Sequence, residues 1–188
     1  FEKMLYDNGP LVSIMCDAYR VFGDEIYLKK ARETCEWAIS DMQNDNGGFS
    51  STIDADSEGK EGKYYVWSDE DLNKILNDNE LDVFRKVYIA YDKPNFDSNY
   101  HLHIMQSNIK EFNDSSSVIE DILVKLKKHR STRIPPGIDK KILTSWNCLM
   151  IKGLLDTYKI TNEIKYFESA LKSFEFMKNK LWALFFFF

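Results

Sequence analysis

Two stretches near opposite ends of the chain repeat one pattern, and this repeat limits the fold more than any other feature. Shifted by 139 positions, Asn8 falls on Asn147, Asp17 on Asp156, Tyr19 on Tyr158, Tyr27 on Tyr166, Ala31 on Ala170 and Glu36 on Glu175, with no gap. In the first copy Leu11, Ile14, Met15, Ala18, Tyr19 and Phe22 recur at the spacing of one helical face. A helix is predicted over 10–22, with Pro10 in its first turn and Gly23 ending it. Asp24 caps a second helix over 25–42, in which Leu28, Ala31, Cys35, Ala38, Ile39 and Met42 share a face. The second copy predicts helices over 145–158 and 163–181. A short connection makes each pair an antiparallel hairpin. In each copy a more apolar helix precedes a more charged one, as in a hairpin array with inner and outer helices.

Between the copies the pattern changes. Phe49 to Ile53 and Lys63 to Trp67 read as strands of a long β-hairpin around the polar turn 56–62. Ser68 with Asp71 is a capping box that opens a helix through Leu72, Ile75 and Leu76. Another helix is predicted over 80–91, with Val83, Phe84, Val87 and Tyr88 inward. Residues 93–107 read as extended or irregular, and 130–143 as a basic, proline-containing loop. The intervening helix, over 117–128, takes Ser117 and Glu120 as a second box. The expected fold is all-α: about seven helices, roughly half of a closed ring of hairpins, with an inserted β-hairpin. One domain is expected over 1–183. The segment 184–188, Leu-Phe-Phe-Phe-Phe, reads as a truncation or frameshift tail, and Phe1 as a second cut end. A half-ring leaves inner helix faces uncovered, which predicts poor solubility or a molten state.

Composition narrows the partners. A net charge of −5 argues against nucleic acid and anionic membrane, both of which reward a basic surface. No apolar run reaches membrane-spanning length, and no signal peptide opens the sequence. Cys16, Cys35 and Cys148 form no C-x-x-C pair and read as free thiols of a reducing compartment, so the chain is expected to be cytoplasmic. There is no glycine-rich phosphate loop, no G-x-S-x-G and no zinc signature, and neither metal nor cofactor is expected.

In a hairpin ring, the ends of the inner helices and the adjoining loops line a central cleft. Three clusters are placed there: Glu2 to Asn8, Asp54 to Trp67, and Asp139 to Asn147. Asp54, Asp56 and Glu58 alternate, so in a strand they lie on one side. Carboxylates so close raise at least one pKa and set an acid beside a base, as glycoside hydrolysis requires. Tyr64, Tyr65 and Trp67 add surface for sugar stacking. The plainer reading of the acidic run is a solvated turn. His101 and His103 face one way in an extended stretch and suit metal or proton transfer, but no third ligand has clear spacing. Lys128, Arg130 and Arg133 suit phosphate or carboxylate, or a solvated loop. Asn147 in the first turn of an apolar helix needs partners for its amide.

At these clusters the chain resembles a known family. Phe1-Glu2-Lys3-Met4-Leu5-Tyr6-Asp7-Asn8, Gly47-Gly48-Phe49, Asp54-Ala55-Asp56-Ser57-Glu58-Gly59, Glu61-Gly62-Lys63-Tyr64-Tyr65-Val66-Trp67 and Leu143-Thr144-Ser145-Trp146-Asn147 are similar to the YyaL-type thioredoxin-domain-containing proteins, microbial relatives of spermatogenesis-associated protein twenty. Asn95-Phe96 and His101-Leu102 resemble the family's middle segment, and the likeness extends to about Leu181. The resemblance implies a longer protein in which a thioredoxin-like domain precedes an (α/α) six-hairpin toroid. That toroid is similar to N-acylglucosamine 2-epimerases and six-hairpin glycosidases. The thioredoxin part is absent here. Two positions depart from the family: Lys140 replaces the second of two acidic residues before Lys141, and Cys148 replaces a glycine.

These readings give two expectations for function. The first is a sugar-processing enzyme, hydrolase- or epimerase-like. Asp56, Glu58 and Asp7 would be catalytic, and Glu2, Asn8, Asp54, Tyr65, Trp67, His101, Asp139, Lys141, Trp146 and Asn147 would bind substrate. The second is a non-catalytic glycan- or protein-binding module that partners a thioredoxin-like domain.

Overall fold

The structure is a computed structural model that describes residues 1–88 and 94–181. The chain is mostly helical with a small antiparallel sheet. It divides into two compact units, one of residues 2–54 and 137–188, the other of Phe1 and 55–136.

The first unit holds both copies of the repeat. Helix α1 (Leu5–Phe22) turns at Gly23 into α2 (Glu25–Asp41), and α7 (Thr144–Thr161) turns at Asn162 into α8 (Ile164–Lys180). The two stops match in detail. Gly23 and Asn162, 139 positions apart, both lie in the left-handed region, at φ 69° and 54°, and their N–H groups bond the Tyr19 and Tyr158 carbonyls. Glycine, and asparagine next best, reach that conformation at least strain. Helices α1 and α7 lie side by side and run the same way: Gly9 meets Leu149, Val12 meets Gly153, and Cys16 meets Thr157. The backbones nearly touch there. A Cβ on Gly9 would sit 2.5 Å from the Leu149 carbonyl carbon, and one on Gly153 would sit 2.8 Å from the Gly9 oxygen. Helices α2 and α8 are joined by Glu36–Lys165 at 2.6 Å and Arg32–Glu163 at 2.8 Å.

Three short strands close the N-terminal ends of α1 and α7. Strand β2 (Thr52–Ile53) lies between β1 (Lys3–Met4) and β5 (Ile138–Asp139), antiparallel to both. Lys3, Ile53 and Ile138 align, as do Met4, Thr52 and Asp139. The core beneath contains Leu5, Val12, Ala31, Met42, Phe49, Met150, Leu154 and Tyr166.

The second unit begins with a tight hairpin of β3 (Asp56–Ser57) and β4 (Lys60–Glu61). Helices α3 (Asp69–Ile75), α4 (Asp78–Tyr88), α5 (Ile109–Asp114) and α6 (Ser116–Arg130) follow. Its core includes Trp67, Leu72, Leu81, Phe84, Val87, Tyr100, Ile119, Ile122 and Leu126. Phe1 lies on Gly62, stacks on Tyr65 at 5.9 Å and meets His101 edge-on at 5.0 Å.

Several expectations are corrected. The long β-hairpin does not form. Both edges of Thr52–Ile53 pair with β1 and β5, and Glu58 and Gly59, at φ 53° and 71°, reverse the chain much sooner. Asp54, Asp56 and Glu58 therefore do not share one side of a strand: Asp54 follows β2, Asp56 lies in β3, and Glu58 is in the turn. Ser117 lies inside α6 and caps nothing, and α5 was not foreseen. The Ser68–Asp71 box is present in both directions. Helix α1 starts five residues before Pro10, because the Leu5 N–H is already satisfied by the Ser51 carbonyl at 2.9 Å. Its buried face is Leu5, Gly9, Val12, Ser13 and Cys16, whereas Leu11, Ile14 and Phe22 are exposed. The helix is apolar on two sides and α7 covers one of them, so periodicity found the side on which Leu11, Ile14 and Phe22 stay exposed among the described residues. The end expected at residue 91 and the tail 184–188 lie outside the described residues.

Candidate functional site

In the unit of the repeats, the sheet gathers carboxylates from three distant segments. Glu2 and Asp54 occupy the register position just beyond the Lys3–Ile53 pair, Asp139 sits across from Thr52, and Asp7 is in the first turn of α1. All four side chains are exposed. Beside them Tyr6 meets Trp146 edge-on, ring centres 4.7 Å apart. Asp139 accepts from the Lys141 Nζ at 2.9 Å and its backbone N–H at 3.1 Å, and this holds its carboxyl below the usual range. The Lys141 ammonium thus faces a carboxylate of its own loop.

Asn8 and Asn147 hold equivalent places. Each donates its amide Nδ2 to the carbonyl four residues back, Met4 at 2.6 Å and Leu143 at 3.1 Å. Asn147 does more. Its Oδ1 accepts from the Phe49 N–H at 2.7 Å and the Ser173 hydroxyl at 3.2 Å, and its Nδ2 also donates to the Phe49 carbonyl at 3.0 Å. The amide is fully buried and every donor and acceptor position is in use. Asn147 therefore pins the backbone after α2 to the start of α7, and it leaves no free group for substrate.

In the second unit a cavity of about 880 Å³ is lined by Ser57, Glu58, Lys63, Tyr64, Asp71 and Arg133, among others. Glu58 is ion-paired to Lys63 at 2.6 Å. The Arg133 guanidinium donates to the carbonyls of Val66 (2.7 Å) and Tyr64 (3.0 Å) and to Asp71 (3.2 Å), and lies 4.2 Å over the Trp67 ring. Burial lowers its pKa, against the nearby Asp71 carboxylate. Arg133 is a clamp on the 63–66 turn, and the carboxylate it meets is Asp71 of the same unit. Trp67, only 2% exposed, belongs to the core beneath it. Asp56 is exposed on β3, and Tyr65 is half-buried against Phe1. The backbone of His101 is held by the Asn95 amide, and burial and then His103 lower its pKa, so the ring is neutral near pH 7. Among the described residues no group of three or more His, Cys, Asp or Glu is placed to hold a metal ion. No helix among them is long and apolar enough to cross a membrane.

Two buried groups in the α1–α7 seam were not singled out from the sequence. Asp156 meets Lys152 and, at 3.3 Å, Lys159. Burial pushes its pKa up, but Lys152, Ser13 and Lys159 outweigh that and lower it. Thr157 gives its proton to the Gly153 carbonyl at 3.0 Å, so its oxygen accepts from both Cys16 (3.5 Å) and Cys35 (3.4 Å). Asp156 was visible only as a match in the repeat, a signal that also marked the exposed Asp17.

No family model matches the chain. Over 213 residues it is 25% identical to spermatogenesis-associated protein 20 of Homo sapiens, covering 96% of this chain and 27% of that protein. The protein of that name from Mus musculus gives the same figures. An uncharacterised protein of Caenorhabditis elegans is 27% identical over 214 residues, covering 94% of the chain and 28% of the relative. The chain spans about a quarter of the length of these curated relatives. Over nearly its whole length it is similar to spermatogenesis-associated protein 20.

Proposed function

We propose that the two hairpins are successive repeats of an (α/α) six-hairpin toroid, and that the sheet end of α1 and α7 is a carbohydrate site, hydrolase- or epimerase-like in the protein that contains it. The parallel packing of α1 and α7, with α2 and α8 outside them, supports the toroid. The gathering of Glu2, Asp7, Asp54 and Asp139 beside the Tyr6–Trp146 pair carries the carbohydrate reading. Sugars are bound by carboxylate and amide hydrogen bonds together with an aromatic face, and proton transfer to or from a sugar needs a carboxyl in reach. Asp7 is the acid/base candidate of this unit. Glu2, Asn8, Asp54, Asp139, Lys141 and Trp146 are the binding candidates. Asp56 and Glu58 are the carboxylate candidates of the other unit, and Tyr65 and His101, which both meet Phe1, are its binding candidates.

The test is turnover of a panel of oligosaccharides and free sugars, followed by reducing-end release and by anomeric NMR. Asp7→Asn is expected to lower turnover by about 10²–10⁴-fold while binding persists. Undiminished turnover in that variant would remove Asp7 from the chemistry. A second reading, a non-catalytic glycan- or protein-binding module that partners a thioredoxin-like domain, is favoured by one observation: Glu58 and Asp139 are each tied to a lysine. Saturable glycan binding that Trp146→Ala abolishes, with no product formed, is what that reading requires.

A further inference from the structure

The cavity of the second unit is walled by three segments of that unit, and the segments are tied to one another. One wall is the β3–β4 hairpin with the 63–66 turn. The second is the turn from Phe96 to Asn99, closed by backbone bonds of 3.0 and 2.7 Å in both directions. The third runs from Thr132 to Ile134. Ser57 donates to the Ile134 carbonyl, and Arg133 donates to those of Val66 and Tyr64. Trp67 and Tyr100 exchange backbone bonds of 3.0 and 2.7 Å, which fixes the second wall to the first. The cleft therefore exists before any ligand arrives, and about 880 Å³ is the volume of a small-molecule site.

Its charges are nearly balanced. Glu58 meets Lys63 at 2.6 Å, and Asp71 meets Arg133 at 3.2 Å. Lys60, Glu61 and Asp97 also line it, and their side chains make no hydrogen bond or ion pair among the described residues. A phosphorylated ligand would meet the carboxylates, and a polycation would meet the ammonium and guanidinium groups, so the lining favours an uncharged ligand. Acceptors and donors set side by side complement vicinal hydroxyls, each of which both donates and accepts. Tyr64 adds a ring, held edge-on by Tyr65 at 5.1 Å and covered by the Arg130 guanidinium at 5.5 Å.

The turns that carry two of the carboxylates are strained. Glu58 has φ 53° and Asp97 φ 41°, a region that glycine enters at least cost. Glutamate lacks the short local bonds that let aspartate and asparagine tolerate it. The Asp97 carboxylate bonds nothing in the fold, so its place at the cleft is not explained by the turn.

We infer that this cleft binds a neutral oligosaccharide, with Glu58, Asp97 and Lys60 bonding sugar hydroxyls and Tyr64 packing on a sugar face. The inference rests on the reading of Glu58 as a site residue of this unit, and on no residue of the sheet end.

An array of neutral, phosphorylated and amino-substituted oligosaccharides, followed by calorimetric titration of the full chain with the tightest neutral binder, tests this. Neutral oligosaccharides are expected to bind. Tyr64→Ala and Asp97→Gly are each expected to weaken that binding about tenfold or more. Glycine suits the φ of position 97, so Asp97→Gly removes the carboxylate and keeps the turn. Trp146→Ala is expected to leave the binding in place. Capture of phosphorylated or amino-substituted sugars alone, or of none, overturns the inference. So does neutral binding that Tyr64→Ala and Asp97→Gly leave intact. If Trp146→Ala abolishes the binding and Asp97→Gly does not, the glycan lies at the sheet end: the cleft fails as its site and the sheet-end reading stands.

Discussion

Replacing Asn147 by alanine isolates the tie between the two repeats. The Phe49 N–H and C=O are buried and bonded to the Asn147 side chain at 2.7 and 3.0 Å, and the isolated bridge at Phe49 leaves both groups directed at it. The Leu143 carbonyl keeps the Asn147 N–H at 3.0 Å and loses little. Alanine therefore strands two buried backbone groups and the Ser173 hydroxyl. At about 1–3 kcal/mol for each stranded group, with Ser173 free to rotate, the loss should be about 4 kcal/mol. Urea unfolding followed by circular dichroism should show an earlier midpoint and an unchanged slope, because the same surface is exposed. Asn147→Asp refines the test. The carboxylate can accept from Phe49 but cannot donate to its carbonyl, and burial raises its folded pKa above the unfolded value. The folded state then binds the extra proton, so this variant should gain stability as pH falls through that raised pKa and lose it as pH rises. A loss below about 1 kcal/mol in Asn147→Ala would refute the reasoning, because the hydrogen bonds would then be replaceable.

Four further outcomes follow from the same geometry. Gly9→Ala should destabilise by about 2 kcal/mol or more in urea unfolding, since its Cβ would meet Leu149 backbone at 2.5 Å. Cys148 is exposed and should be alkylated by iodoacetamide in the native state, whereas Cys16 and Cys35 should react only on unfolding; burial pushes the Cys35 thiol up to about 12, and mass spectrometry of labelled peptides reads the difference. The folded pKa of Asp156 is lowered, so its stabilising contribution is present above the ordinary value of 3.8 and lost as pH falls through the folded one; Asp156→Asn should flatten the acid limb of the stability profile. Arg133→Lys cannot reproduce the fork to Val66, Tyr64 and Asp71, and should raise limited proteolysis at Lys60 and Lys63.

The helices of the repeat were legible because their signals are local: apolar spacing, Gly23 as a stop and Asp24 as a cap. The pairing of β2 was not, since its partners lie some fifty residues before and eighty-five after it, and no local pattern specifies long-range register. The inward face of α1 was misread for a related reason. Leu11 and Ile14 carry the periodicity of a buried stripe, but burial depends on a neighbour that periodicity cannot supply. In the candidate site, residue type marked Asn147 as needing partners, and the fold supplies them from Phe49 and Ser173, so the amide is structural. Trp67 was read as a stacking surface and lies under Arg133, which no spacing rule linked to it. Carboxylates at 2, 54 and 139 were expected together at the ends of the inner helices, but the three-stranded sheet that aligns their segments was not foreseen.

The central structural claim is that the two repeats stand side by side with their first helices parallel. Cysteine cross-linking measures this directly in a Cys148→Ser background, where the two remaining thiols are buried. Ser13 and Lys152, 139 positions apart, have side chains 3.4 Å from each other. Paired Ser13→Cys and Lys152→Cys should cross-link rapidly with a short bifunctional thiol reagent, and Ser13→Cys with Thr161→Cys should not. Efficient linkage of the second pair and none of the first would contradict the parallel repeat, and with it the proposed toroid.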